Sequence, residues 1–189
     1  MSAPVRRRGP GSRADESHPT RHDLLDAAGA LVDRDGFDAL SISEVTREAG
    51  LAKGTFYVHF GDRAELLVEL HRRFHDDLYA AIEAATTALP PGPARARTRV
   101  TAFLDGCRRQ RGVRAMLLQA RSEPAVIDEV RRRNDRTARL LAEDLEAVEY
   151  PLETARLLVA ATAETALQEL TAGRALPRLR AALDGIVPA

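Results

Sequence analysis

The hydrophobic positions of this chain recur mostly at intervals of three and four residues. Such spacing places apolar side chains on one face of an α-helix, whereas a half-buried strand alternates at every second residue. The first apolar stripe consists of Leu24, Leu25, Ala28, Leu31 and Val32. The pattern predicts a helix that begins at Thr20, with Asp23 completing its cap, and ends at a Schellman stop formed by Gly36 and Phe37.

Two short helices joined by a turn are predicted next. Ser41 can accept a hydrogen bond from the amide of Glu44, whose side chain can reach back to the amide of Ser41, as in a capping box. Gly50 ends this helix, because glycine adopts the left-handed conformation without steric cost. A second helix is predicted from about Lys53 to Phe60. Two short helices around a glycine-containing turn are typical of a helix-turn-helix motif.

The second of these helices has a sequence that propensity alone would assign to a strand. Its residues 55–58 are β-branched or aromatic, which favours a strand. Phe56 and Phe60, however, are four residues apart and would share one helical face directed toward a core. We therefore predict a helix. The side chains expected on its opposite, outer face are Thr55, Val58 and His59.

A long helix is predicted after this motif, opened by a cap at Asp62 and Glu65. Its inner side consists of Leu66, Leu67, Leu70, Phe74, Leu78 and Ile82. It ends before the proline- and glycine-rich run at 89–93, which is the strongest break in the chain. Further helices are predicted at about 94–110, 113–120, 122–148, 151–170 and 176–186. The fold class expected is all-α, with about nine helices.

Composition limits the class of protein. The 189 residues allow one large domain or two small ones, and the single cysteine, Cys107, excludes an intrachain disulfide and fits a reducing compartment. No apolar run approaches the ~18 residues of a membrane span. We therefore expect a cytoplasmic protein without membrane contact.

Charge gives little indication of a partner. The chain has 28 basic and 28 acidic residues, and the part up to Arg63 has nine basic and ten acidic ones. Lys53, at the start of the second short helix, is the only lysine. Residues 1–19 contain Arg6-Arg7-Arg8 and Arg13 among proline, glycine and serine, and are predicted to be a disordered arm. Such an arm is either an inert tail or a basic segment that lies along DNA.

Motifs of catalysis are lacking. The sequence has no P-loop, dinucleotide fingerprint, nucleophile elbow or HExxH motif. His71 and His75 are spaced so that they can share a metal ion, but spacing fixes no third ligand. A small metalloenzyme built on them is therefore the weakest hypothesis. We predict no enzymatic activity, no cofactor and no metal site.

A set of short motifs, all in register, carries a family resemblance. They are Gly36-Phe37, Ser41-Ile42, Ala49-Gly50-Leu51, the run KGTFYVHF at 53–60, and Glu65-Leu66. They resemble the N-terminal domain of TetR/AcrR-type transcriptional regulators over about Thr20 to Leu78, a third of the chain. The resemblance implies a dimeric, all-helical repressor that releases operator DNA when a small molecule binds its larger domain.

Roles on DNA can be assigned from helix geometry, and the same positions match those with which the family contacts DNA. The N-terminal residues of a recognition helix approach base edges in the major groove, while serine, tyrosine, histidine and arginine side chains bind the backbone. The predicted contacts are Ser41, Ser43, Lys53, Gly54, Thr55, Tyr57, Val58, His59 and Arg63. For Tyr57 and His59 the alternative is packing or capping. Ala52 replaces the family's usual small hydroxyl residue, so one phosphate contact is expected to be missing.

The predicted domains are therefore a helix-turn-helix domain at 20–78, with its helix pair at about 41–60, and a ligand-binding and dimerisation domain at 79–189. The family resemblance implies a homodimer through the last two helices and an unknown small-molecule effector. Candidate pocket residues are Phe74, His75, Tyr79, Phe103, Met116 and Gln119, each with core packing as the alternative. The competing hypothesis is an architectural or partner-binding helical protein that does not recognise a DNA sequence.

Overall fold

The computed structural model describes residues 18–110 and 124–187, and this part of the chain contains eight α-helices and no strand. The helices are α1 (Pro19–Asp35), α2 (Ile42–Glu48), α3 (Lys53–His59), α4 (Arg63–Thr86), α5 (Pro93–Arg109), α6 (Pro124–Ala142), α7 (Pro151–Ala172) and α8 (Pro177–Asp184). A 3-10 turn at Phe37–Ala39 separates α1 from α2. The all-α prediction is confirmed. The helix predicted at 113–120 and most of the predicted N-terminal arm lie outside the described residues.

The helices form a small N-terminal unit and a larger bundle, with α4 common to both. In the small unit, α1 packs against α2 and α4, and α2 packs against α3. In the bundle, α4 packs against α5 and α6, while α7 packs against α5, α6 and α8. The buried residues of both units belong to one hydrophobic core. Within the described ranges, none of the helices has the length and apolar character needed to cross a bilayer.

Local hydrogen bonds explain where the short helices begin. The Oγ of Ser41 accepts from the amide of Glu44 at 3.2 Å, as predicted. The return bond of the capping box is not formed, because the Glu44 carboxylate binds Arg47 and the amide of Ser41 donates to the carbonyl of Ala39 at 2.9 Å. The cap of α4 is confirmed too, with Oδ1 of Asp62 accepting from the amide of Glu65 at 2.9 Å.

The turn between α2 and α3 is a Schellman motif. Gly50 has a φ of +66°, and its amide donates to the carbonyl of Arg47 at 3.1 Å. The next amide, of Leu51, reaches the carbonyl of Thr46 at 2.8 Å. These two bonds satisfy carbonyls that the end of α2 would otherwise leave without partners. The predicted glycine stop at this turn is therefore confirmed.

Two predicted details of α1 are wrong. The helix begins at Pro19, and its cap is the Nδ1 of His18, which accepts from the amide of Thr20 at 3.2 Å, so Asp23 has no capping role. Proline suits this first position because its missing N–H would have no helical partner there. At the other end, Gly36 has a φ of +80° but a ψ of 180°, which leads into extended backbone and not into a Schellman motif.

The inner side of α4 is as predicted, since the six apolar residues named for it are all buried. By contrast, α6 ends at Ala142, earlier than the predicted 148. Leu145 is still buried, but it lies in the turns that follow the helix. Apolar spacing alone therefore overestimated the length of α6.

The helices α7 and α8 are joined by a buried carboxylate. Glu169 is almost fully buried and accepts from Nε and Nη2 of Arg180, at 2.6 and 2.7 Å, and from the amide of Leu176 at 2.9 Å. The hydrogen bonds from Arg180 lower the pKa of Glu169 below its ordinary value, although burial acts in the opposite direction. The last helix is therefore attached to the bundle by an ion pair as well as by Leu183.

We predict that Glu169→Gln lowers the free energy of unfolding at pH 7 by about 1–3 kcal/mol, because Arg180 loses a charged partner. A carboxylate with a lowered pKa stabilises the fold above its ordinary pKa and loses this effect as the pH falls through the folded value. The difference between wild type and variant should therefore shrink below about pH 4.3. Urea unfolding between pH 7 and pH 3 measures it. Glu164→Gln, at an exposed position on the same helix, should show little difference, and a pH-independent effect of Glu169→Gln would contradict the prediction.

Candidate nucleic-acid interface

Two phenylalanines fix α3 on the core. Phe56 and Phe60 are 0% and 1% exposed, and their ring centroids are 5.4 Å apart. The helix predicted over the strand-like run TFYVHF is confirmed, since α3 covers Lys53–His59 and both rings lie in the core one helical turn apart. A seven-residue helix is too short to be stable alone in water, so this packing determines both its existence and its direction.

The outward face of α3 is formed by Lys53, Gly54 and Tyr57. All three are exposed, and the Tyr57 side chain is 52% exposed although its ring also meets the edge of Phe56. Thr55 and Val58 are half-buried. The outward face of α3 thus presents to solvent the amine of Lys53, the backbone at Gly54 and the phenol of Tyr57.

The predicted outward direction of His59 is wrong. Its side chain is only 5% exposed, and its ring centroid lies 5.0 Å from that of His18. The reason is geometric, since a residue three positions after Phe56 lies only about 60° from it around a helix. The packing alternative therefore applies to His59, whereas Tyr57 does point outward.

The remaining predicted contact residues lie around α3. Ser41 and Ser43 are exposed at the start of α2. Arg63, at the start of α4, is half-buried: its Nε donates to the carbonyl of Leu40 at 2.9 Å, and its guanidinium carbon lies 4.6 Å from the ring centroid of Phe37. Ala52, at the N-cap of α3, forms no side-chain cap.

Most cations of this unit are paired with carboxylates. Arg34 forms a bidentate pair with Glu48 at 2.9 and 3.0 Å, and these hydrogen bonds lower the pKa of Glu48. Arg47 pairs with Glu44. Among residues 18–63, no ion pair is recorded for Lys53. The exposed surface of α3 therefore has a local positive charge even though the unit as a whole is not basic.

Arg21 attaches α3 to α1 and α4. Its side chain is buried, its Nη1 donates to the carbonyl of His59 at 2.8 Å, and its Nη2 forms an ion pair with Glu69 at 3.1 Å. The guanidinium also lies over the Phe60 ring at 4.3 Å. The backbone carbonyl at the end of α3 is thus connected to a carboxylate on α4.

An ion-pair chain continues from Glu69 into the larger bundle. Arg72 lies 3.5 Å from Glu69 and 3.6 Å from Glu129 of α6, and Glu129 accepts from Nε of Arg133 at 3.2 Å. Burial disfavours the charged form of Glu129, but hydrogen bonds from Arg132 and Arg133 outweigh this and lower its pKa. The chain ends at Arg133, which lines a pocket.

This pocket has a volume of about 70 Å³ and lies between α4, α5, α6 and α7. Its wall is mostly apolar, and the polar groups include the paired hydroxyls of Tyr79 and Thr137. Its lining residues are His71, His75, Leu78, Tyr79, Ile82, Arg99, Val100, Phe103, Val130, Arg133, Asn134, Thr137, Leu140, Leu141, Val159, Thr162 and Ala163.

Three of the six pocket residues predicted from the sequence, His75, Tyr79 and Phe103, line this pocket. Phe74 does not line it and is buried, with its ring against the edge of His75, so core packing applies there. Met116 and Gln119 lie outside the described residues. The rings of His71 and His75 are 4.4 Å apart, but in the described ranges no three His, Cys, Asp or Glu residues are grouped to hold a metal ion.

Comparison with known proteins agrees with the geometry. Residues 24–70 match the model of the bacterial regulatory proteins of the tetR family. The N-terminal domain is that of a TetR/AcrR-type regulator. This confirms, for the N-terminal domain, the resemblance inferred from the sequence. Regulators of this family are generally non-enzymatic.

Several solved structures share the fold along nearly the whole chain. A transcriptional regulator from Rhodococcus sp. RHA1 has a TM-score of 0.75 at 20% identity, covering 88% of this chain and 93% of its own. A TetR-like transcriptional regulator from the same organism has a TM-score of 0.70 at 22% identity, covering 89% and 93%. The multidrug binding protein EbrR, complexed with imidazole, has a TM-score of 0.72 at 26% identity, covering 89% and 95%.

Sequence reasoning did not identify Arg21 or Arg133 as residues of this TetR-type architecture. Arg21 lies one residue after the predicted helix start, and Arg133 lies in an arginine run that is typical of a solvated face. Arg21 does have one local signal, since it lies three residues before Leu24 and four before Leu25 and thus shares their helical face. The partners of Arg21, and Asp76 as a partner of Arg133, are on other helices, so the pattern within one helix could not reveal them.

We predict that Arg21→Met lowers the free energy of unfolding by about 1–3 kcal/mol, because the carbonyl of His59 and the carboxylate of Glu69 lose a buried donor. Denaturant unfolding measures the loss, and DNA affinity should fall with it, because α3 loses an attachment. The matched control is Arg73→Met. Arg73 also joins α4 to α1, through a 2.5 Å pair with Asp26, but that carboxylate is mostly exposed, so the cost should stay within about 1 kcal/mol. Equal effects of the two variants would refute the role given to Arg21.

Proposed function

We propose that this TetR-type protein is a homodimeric repressor that binds a palindromic operator through α3 and is released when a small molecule occupies the pocket. The observation that carries the proposal is the exposed face of Lys53, Gly54 and Tyr57 on a helix whose other face is fixed in the core. This is the arrangement that major-groove recognition requires, since base contacts need a rigidly held helix with an open N-terminal turn.

Each exposed residue has a chemical role on DNA. Lys53 donates to a guanine acceptor or a phosphate, and Gly54 lets the backbone approach the groove closely. Tyr57 binds a phosphate oxygen, as do Ser41 and Ser43 at the start of α2. The half-buried Thr55 and Val58 contact a thymine methyl, with the Thr55 hydroxyl available to a polar base edge. Arg63 positions the start of α4 and adds charge near the backbone. His59 supports α3 from inside.

Dimerisation compensates for the modest charge of each DNA-binding unit. Non-specific affinity scales with the number of phosphates neutralised, and most cations here are already paired. Two copies related by a twofold axis double the base contacts, on half-sites roughly 34–36 Å apart or a multiple of that distance. Leu157 on α7 is 71% exposed, and Ile186 after α8 is also exposed, which supports a dimer interface on the last two helices.

Release by a ligand follows from the ion-pair chain between pocket and recognition helix. A ligand that moves Arg133 changes the partners of Glu129 and Arg72, and through Glu69 it changes the position of α4 relative to Arg21. A coupling free energy of only ~1–3 kcal/mol changes operator affinity by one or two orders of magnitude. The fold shared with EbrR, described as a multidrug binding protein, also supports a small-molecule effector.

Selection from random double-stranded oligonucleotides tests DNA recognition. The purified protein should enrich an inverted repeat, and its affinity should fall as salt rises. Gly54→Ala should keep or raise the free energy of unfolding by up to ~1 kcal/mol, because alanine favours helix and nothing lies within 4 Å of the added methyl. The same methyl would separate α3 from the groove, so affinity for the selected site should fall at least about tenfold, as for a lost base contact.

The matched control is Gly29→Ala in the middle of α1, where the added methyl also meets nothing within 4 Å. It should change stability in the same direction as Gly54→Ala while leaving DNA affinity unchanged. Failure to enrich any sequence would refute the proposed function and favour the architectural alternative. Equal DNA affinity of wild type and Gly54→Ala would refute the assignment of α3.

Leu157→Glu tests the dimer, because it places a charge on the apolar surface proposed to be buried between copies. We expect the dimer dissociation constant to rise at least about tenfold, since an unpaired buried charge is costly, and operator binding to weaken with it. Sedimentation equilibrium measures the first effect. Ala30→Glu, at an exposed position on α1, should leave the oligomeric state unchanged. A wild-type protein that is monomeric at all accessible concentrations would refute this part of the proposal.

A further inference from the structure

We propose that the pocket takes a small organic anion, a carboxylate with an apolar body, and discriminates against cationic compounds of the same size. This inference rests on the proposed function only for its biological meaning, since the ligand class follows from the pocket wall itself.

The wall contains basic side chains but no carboxylate among its described residues. The basic groups are the guanidinium groups of Arg99 and Arg133 and the imidazoles of His71 and His75. A cationic ligand entering this pocket would find no carboxylate among the described part of its wall, and burying an unpaired charge is strongly unfavourable. An anion finds two guanidinium groups, the side chains best suited to bind a carboxylate.

The buried carboxylates behind the wall are outnumbered by arginines. Asp144 is fully buried and pairs with both Arg95 and Arg99. Glu129 is nearly buried and is shared by three arginines, which include Arg133 at 3.2 Å. The arginines around each buried carboxylate therefore carry more positive charge than that carboxylate neutralises, and a second anion can bind them.

The acceptors that now complete these clusters lie at the protein surface. Arg133 binds Asp76 at 2.6 Å and Arg99 binds Glu83 at 2.6 Å, yet these two carboxylates are 66% and 56% exposed. Exposed ion pairs contribute little to stability because water and salt screen them. A ligand carboxylate inside the pocket would form the same hydrogen bonds away from water, where they are stronger. An anion can therefore displace either surface partner at small cost.

The rest of the wall defines the body of the ligand. Leu78, Ile82, Val100, Phe103 and Val159 provide apolar surface on α4, α5 and α7. An aliphatic chain gains free energy in proportion to the apolar area that it buries there. The expected ligand thus has one acidic end and one apolar chain.

Calorimetric titration of the full-length protein with three probes of equal chain length tests the proposal. The probes are octanoate, octan-1-ol and octylammonium, at pH 7 and constant ionic strength. Octanoate should bind at least about tenfold more tightly than either of the others, the gain expected for charge-assisted hydrogen bonds. Equal binding of the alcohol, or tighter binding of the amine, would overturn the proposal.

The variant Arg133→Gln should remove most of this preference for octanoate, and Arg131→Gln is its matched control. Arg131 lies on the same helix two residues earlier, is 75% exposed, and pairs only with the exposed Asp128 among described residues. Equal losses in both variants would overturn the assignment. Because Arg133 also holds Glu129, Arg99→Gln provides a second test that leaves the Glu129 cluster intact, and it too should reduce the preference.

A final pair of measurements distinguishes the ligand class from the proposed regulation. Ala163→Leu narrows the pocket and should weaken the binding of all three probes by the same factor, so that the order of their affinities is kept. A changed order of affinities would overturn the proposal. Octanoate is then added to the protein bound to its selected operator. Selective binding without release of DNA would leave the ligand class standing and refute ligand-controlled repression. Release of DNA without selectivity for the anion would support ligand-controlled repression and refute the proposed ligand class.

Discussion

The buried guanidinium of Arg21 is the group on which the exposed surface of α3 depends. Helix α3 has seven residues, and such a helix has no stability of its own. Phe56 and Phe60 hold one side of it in the core, but apolar packing alone tolerates small rotations. The hydrogen bond from Arg21 to the carbonyl of His59, at 2.8 Å, is directional and fixes the end of the helix. The orientation of the surface proposed to bind DNA is thus set by a residue that is not part of that surface.

The same guanidinium begins a chain of ion pairs that connects the N-terminal unit to the larger bundle. Its second donor reaches Glu69 on α4, and from there arginines and carboxylates alternate as far as Arg133 at the pocket. In this chain each carboxylate is in contact with more than one arginine. If one arginine binds a different partner, the carboxylate that it leaves can bind the neighbouring arginine more closely. Side chains packed only by apolar contact would not offer discrete alternatives of this kind.

The accuracy of the sequence-based predictions follows the range of the interactions involved. Caps at Ser41 and Asp62 and the stop at Gly50 were predicted to the residue, because each depends on neighbours within five positions. The helix over TFYVHF was predicted from two phenylalanines one turn apart. His59 was assigned to the wrong face, although helical geometry places it beside Phe56. Arg21 and Arg133 were missed because each has a partner at least 38 residues away on another helix, which no periodic pattern records.

The single lysine of the protein allows α3 to be labelled selectively by an amine-directed reagent. Lys53 is the chain's only lysine, and it is exposed on the first turn of α3, while the other side-chain cations are arginines that do not react with amine-directed reagents at neutral pH. An acylating fluorophore would therefore attach to one side chain, besides the amino terminus. DNA bound to α3 as proposed would shield that amine. The rate of acylation at Lys53 can thus report occupancy of α3 in solution, without any substitution in the protein.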